Sequence, residues 1–179
     1  ARVPCAGTTS AMDIAAKTEF IRTEIDPRLI TMLTKSLHLS IVQQKFDAVD
    51  PLKSHVEQCM NWTRLALGRL FLEFLGMKQA LGGKGAQGDD VTVTHLGGNW
   101  ISQDRFSDSE WGCLTKFMKH SNKIIHLTND PNRKYDVTAE VDRAIPIIAK
   151  AMIIFLYEPM KDHVEVPLSH EILKLIGYA

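Results

Sequence analysis

The stretch from Asp50-Pro51 to Gly76 constrains this chain more than any other. An aspartate can cap a helix, and a proline fits the first turn, where its missing N–H costs nothing. Glycine then marks the stop. Between them Leu52, Val56, Cys59, Thr63, Ala66, Leu67, Leu70 and Phe74 fall on one face of a helical wheel. Trp62, Arg69 and Glu73 lie along one border of that face. A helix from Pro51 to about Leu75 is long enough to span a small domain. Such a rod needs other rods to cover it, which predicts an all-α fold.

The neighbouring segments agree. Ser10 or Asp13 can start a helix through "DIAAKTEFIRTEI", and Asp26-Pro27 marks a break and a fresh start. Ile30, Leu33, Leu37 and Ile41 recur at helical spacing, predicting a helix over 27–46. "SDSE" carries a capping box from Ser107 to Glu110. Downstream of it Trp111, Leu114, Phe117, Met118, Ser121, Ile124 and Ile125 form a core face, with a stop near Asn129-Asp130-Pro131. Thr138 is expected to cap a last long helix, apolar nearly all round and kinked at Pro146. Ser169 should open a short helix that packs back through Leu173 and Ile176. The expectation is an antiparallel helical bundle of five or six helices, four of them long.

Residues 76–107 read as a long irregular loop. "GMKQALGGKGAQGDD" is Gly-rich, and "VTVTHL" alternates as a short strand would. "GGKG" lacks the spacing of a phosphate-cradling P-loop.

With 179 residues the chain suits a single helical domain over 1–179, with 1–10 as a loose N-terminal arm. Lys plus Arg and Asp plus Glu are both 21, which excludes a strongly basic coat while permitting a local basic patch. Cys5, Cys59 and Cys113 form no CxxC pair, so a zinc ribbon is disfavoured; Cys59 and Cys113 read as small core residues. That usage suits a reducing cytoplasm, and the N-terminus has no signal-peptide core. "AIPIIAKAMIIFLYEPM" contains Lys150 and is short for a membrane span, so no membrane partner is expected.

The segment "KFMKHSNKIIHLTND" carries the candidate chemistry. Lys119, Asn122 and His126 are spaced by three and four residues, so they share one stripe at the edge of the core. A histidine there titrates near neutral pH, a lysine holds phosphate, and an asparagine positions a hydroxyl. Together these suit metal-free acid–base cleavage of a phosphodiester. The plainer reading is a histidine that caps helix carbonyls. His120 points about 120° away from His126 at 100° per residue, too far to share a metal.

"SNKIIHLTND", set between a helix and a long apolar one, resembles the HEPN-type all-helical domains. "TRLALGRLFLEFLG" is similar to the helix that often precedes that segment, and the resemblance spans roughly Asn61 to Tyr157. It implies a bundle, commonly a homodimer. Many such domains are metal-independent endoribonucleases of toxin–antitoxin or phage-defence systems, while others bind nucleotides or are inactive. On that resemblance the partners are RNA or a nucleotide and an antitoxin or other protein, with no cofactor and no metal. Dimerisation would bring two copies of the stripe into one cleft. His126 takes the place of the family's histidine, as acid or base. The family's arginine is absent: Lys119 or His120 stands at its distance, and Asn122 supplies the polar group. Lys119 is a point charge without the bidentate grip of arginine. Arg69, Glu73, Lys123 and Arg133 complete the candidate substrate-binding set; for Arg69 and Glu73 an ordinary i,i+4 ion pair is the simpler reading.

The remaining candidates are thinner. His38, His55, His163 and His170 have no HxxxH or HExxH spacing. His95 and Asp89-Asp90 lie in or near the Gly-rich loop, and Arg133 and Lys134 sit in a turn. Trp100 and Trp111 flank the irregular segment, where they fill core or face a partner. The competing functional reading is a non-catalytic interaction protein that takes a small ligand or a protein partner in an apolar inter-helix pocket or at a dimer surface.

Overall fold

The computed structural model describes residues 12–34, 51–84, 90–125, 137–168 and 170–175. The N-terminal arm, the continuation of the 27–46 helix, Asp50, residues 85–89, His126, Arg133, Lys134 and Ser169 lie outside them, as do the side chains of Lys123, Ile124 and Ile125.

The described residues are all-α, as the periodicity predicts. Helix α1, Ile14–Phe20, is capped by Asp13, whose carboxylate accepts from the Ala16 N–H at 2.8 Å. The chain does not break at Asp26-Pro27. A π turn over Ile21–Ile25 leads directly into α2, Asp26–Leu33. The physical reason is Pro27, whose ring crowds the carbonyl four residues earlier; the wider turn gives it room. Then come α3, Pro51–Phe74, and the single turn α4, Met77–Ala80. Helices α5, Asp108–Ile125, and α6, Val137–Met152, follow, and α6 passes through Pro146 before a π segment, Ile153–Tyr157. A short α7, His170–Leu175, ends the described chain, with Leu173 against the core. The Ser107–Glu110 box is present in full: Glu110 accepts from the Ser107 N–H at 2.9 Å, and the Glu110 N–H reaches Ser107 Oγ at 3.2 Å. Thr138, expected as a cap, instead lies inside the first turn of α6, where its hydroxyl accepts from Asn61.

Helix directions follow from the cross-links. Asn61 meets Thr138 and Arg64 meets Asp142, so α3 and α6 run the same way. His120 meets Glu140 and Glu110 meets Lys150, so α5 runs against α6. Tyr157 reaches Asp26 and Met32 reaches Arg64, so α2 runs against both. Among the described residues each of α2, α3, α5 and α6 is therefore antiparallel to the next, the up-down arrangement of a four-helix bundle. The core holds Leu65, Phe71, Leu72, Phe117, Ile148 and Leu156, among others. Gly68 sits where three helices meet: a Cβ there would lie 2.9 Å from Phe117 Cζ and 3.1 Å from Ile148 Cδ1.

Two faces differ from the sequence reading. In α3 the buried residues are Arg64, Leu65, Gly68, Phe71, Leu72 and Phe74, with Leu75 buried just beyond its end; of the predicted face Phe74 is buried and Leu67 packs on the core, while Leu52 and Leu70 are 54% and 48% exposed. Apolar residues surround this helix, and only its neighbours decide which row is covered. Cys59 is exposed rather than core, and Cys113 is half-buried. Burial, helped by the nearby Glu140 charge, pushes the Cys113 thiol up.

The described residues of 76–107, which are 76–84 and 90–107, are more ordered than a loose loop. "VTVTHL" forms a 3₁₀ turn, Val93–Leu96, not a strand. His95 Nδ1 accepts from the Thr92 N–H at 3.1 Å in a capping box, and Gly97 takes φ 98° to end the turn. Such local capping satisfies backbone groups that a strand would offer to a partner. A second 3₁₀ turn covers Gln103–Arg105. Val93, Leu96 and Ile101 are buried in the core. The Ile101 N–H donates to the Leu75 carbonyl at 2.9 Å and closes the end of α3. Gly76, at φ 86°, lies under the Trp100 ring.

Candidate functional site

The side chains that matter sit on facing helices. Lys119 and Asn122 are exposed on α5, one helical step apart, beside buried Met118 and Ser121. That is the core-edge position their spacing predicts. From α3, Arg69 and Glu73 project into the same seam. Arg69 Nη2 pairs with Glu73 Oε1 at 2.8 Å, the expected i,i+4 ion pair. Its other terminal nitrogen donates to Asn122 Oδ1 at 2.9 Å, a link across 53 positions of sequence. The guanidinium is thus held at two points by partners from two helices, and it still has donors to offer a ligand.

These four residues line a cleft of about 350 Å³ together with Met118 of α5, Lys78 of α4, and Leu81 and Gly83 just after α4. Three cations, Arg69, Lys78 and Lys119, face one carboxylate, Glu73. A concave site with that balance suits an anion, and the Asn122 amide adds a neutral hydrogen-bonding group. Lys78 was not singled out from sequence. Its only signal was its place just after Gly76, where the helix stops and the chain turns back over the seam.

Of the predicted site residues, the structure brings together Lys119, Asn122, Arg69 and Glu73. Lys123 lies in α5 with its side chain outside the description, and His126 and Arg133 lie outside the described residues. His120, separated from this stripe in the sequence reading, faces α6, with Nδ1 2.7 Å from Glu140 Oε2. His95 belongs to the Thr92 capping box. Among the described residues no three His, Cys, Asp or Glu side chains converge as metal ligands, and no helix is long and apolar enough to cross a membrane.

A second cleft, of about 490 Å³, adjoins the first and shares Leu81 and Lys119 with it; Trp111, Gly112, Thr115 and Lys116 line it further back along α5. A third, of about 390 Å³, lies along the N-terminal half of α3 between Leu52, Val56, Cys59 and Met60, facing Thr31 of α2. Comparison of the chain with protein-family models, with curated proteins and with solved structures gives no match in any of the three.

Proposed function

We propose that this chain is a HEPN-like helical domain that binds the phosphate of RNA or of a nucleotide in the Arg69–Lys119–Asn122 cleft. The observation that carries this reading is the bond from Arg69 to Asn122 across the α3–α5 seam. The segment from Lys119 to His126 has no arginine of its own; Arg69 brings a guanidinium to Asn122 from the neighbouring helix. If the domain cleaves RNA, His126 is the acid or base, Lys119 and Arg69 hold the phosphate, and Asn122 orients the attacking 2′-hydroxyl. Titration of a fluorescent single-stranded RNA tests the binding. Arg69→Ala with Lys119→Ala should weaken it at least about tenfold and reduce its salt dependence. Unchanged affinity would remove the reading. Cleavage is tested in EDTA with wild type beside His126→Ala; equal degradation, or none, leaves a binding module without nuclease activity.

A second reading is favoured by a different observation, the apolar cleft beside exposed Leu52. On it, the chain is a non-catalytic interaction protein that takes a small apolar ligand there. An environment-sensitive apolar dye should then bind wild type, lose affinity in Leu52→Lys, and ignore Lys119→Ala.

A further inference from the structure

The phosphate cleft has a neighbour at Lys119. Leu81 and Lys119 line both it and the adjoining cleft, so the two lie side by side along α5 with these side chains between them. The second lobe differs in chemistry from the first. Trp111 contributes an aromatic ring, steadied by Phe106 at 6.0 Å between centroids. Gly112 leaves open space, with nothing within 4 Å of where a Cβ would stand. Thr115 has a buried hydroxyl oxygen without a hydrogen-bond partner. Lys116 adds a cation and Asp108 a carboxylate. Lys119 and His120 line it too, so charge alone does not exclude an anion; the aromatic face of Trp111 beside the open space at Gly112 is what suits a flat ring better than a second bare phosphate.

We infer that the lobe at Trp111, Gly112 and Thr115 is a nucleobase subsite next to the phosphate cleft, so the ligand is a nucleotide, free or as a unit of an oligonucleotide, rather than a bare phosphate. The inference rests on the phosphate reading above and extends it. A base would lie against Trp111, with Lys119 between base and phosphate. Stacking on an aromatic side chain is sequence-tolerant, so the lobe should accept purines and pyrimidines alike.

Calorimetric titration of the whole chain tests this with ribose 5-phosphate against AMP and UMP, which differ from it by one base. The nucleotides should bind at least about tenfold more tightly than the sugar phosphate, the gain expected from one stacked base. Gly112→Leu should erase that gain and leave ribose 5-phosphate affinity within about twofold. Leucine is a better helix former than glycine and its Cβ meets no obstacle at this position, so the variant should fold. Trp111→Ala should reduce the gain in the same sense. Sugar phosphate and nucleotides binding alike in wild type would overturn the subsite and leave the phosphate cleft standing. So would a Gly112→Leu variant that keeps the full gain. Binding of none of the three would remove the phosphate reading and the subsite with it.

Discussion

Arg64 of α3, only 7% exposed, donates to Asp142 of α6 at 2.5 Å, and its Nε donates to the Met32 carbonyl of α2 at 3.1 Å. One guanidinium therefore ties three helices. Its charge is out of water, while Asp142 is about half exposed. Removing the carboxylate leaves a buried cation without its counter-charge, which is the costly way to break such a pair. Asp142→Ala should destabilise the fold by about 1–3 kcal/mol, discounted for the exposure of Asp142. Arg64→Met, similar in length and uncharged, should cost less than Arg64→Ala. Urea unfolding of the three variants checks the order.

Gly76 holds φ 86° beneath Trp100, and an added Cβ would stand 2.1 Å from Trp100 Cε3. Two penalties are present, a backbone one and a steric one. Gly76→Ala should lower stability by about 1–3 kcal/mol. In a double-mutant cycle Trp100→Ala should recover the steric share alone, so the double variant should be more stable than the sum of the singles predicts. Additive losses would show that the ring already has room.

The Tyr157 hydroxyl donates to Asp26 at 2.5 Å. Burial, together with the Asp26 carboxylate, pushes the Tyr157 phenol far above the ordinary value of 10.0. The folded chain thus keeps a proton that the unfolded chain releases. This contribution is fully present below the unfolded tyrosine value and is lost as pH rises beyond it. Stability should fall above about pH 10, by up to roughly 1.4 kcal/mol per pH unit from this group. Tyr157→Phe should remove that part of the slope in guanidinium unfolding between pH 9 and pH 11.

Burial likewise raises Asp26, against the opposing hydrogen bond from Tyr157, above its ordinary 3.8. Here the folded state holds the proton more tightly than the unfolded state. Stability from this group is greatest below the unfolded value and is lost as pH rises through the raised one. Asp26→Asn, which keeps an acceptor for Tyr157, should flatten the dependence on the acid side. A steeper curve in the variant would contradict the assignment.

In the cleft Glu73 competes with any incoming anion for Arg69, at 2.8 Å. Glu73→Gln should raise phosphate or RNA affinity by about threefold to tenfold and leave folding stability nearly unchanged, since a part-exposed i,i+4 pair contributes under about 1 kcal/mol. Affinity measured at two salt concentrations checks both sign and origin.

Much of the fold was legible because its signals are local. The Asp13 cap, the Ser107–Glu110 box, the stop at Gly76 and the buried row of Leu114, Phe117, Met118 and Ser121 each depend on residues within a turn or two. What was misread depends on distant partners. Nothing near Arg64 in sequence announces a buried arginine, because its ligands are 32 and 78 positions away. The alternation of "VTVTHL" predicted a strand because the His95 ring was not foreseen as a capping acceptor. At the site the Lys119–Asn122 spacing was legible, whereas the Arg69–Asn122 bond needs two helices packed in one particular way.

That packing turns on an absent methyl group. Gly68 lets Phe117 and Ile148 approach the α3 backbone almost to touching, one position before Arg69. The reach of the guanidinium toward Asn122 is therefore set by how thin the helix is just beside it. Any side chain at position 68 would act as a shim between the rods, and the effect would be felt as a gripping hand moved out of range.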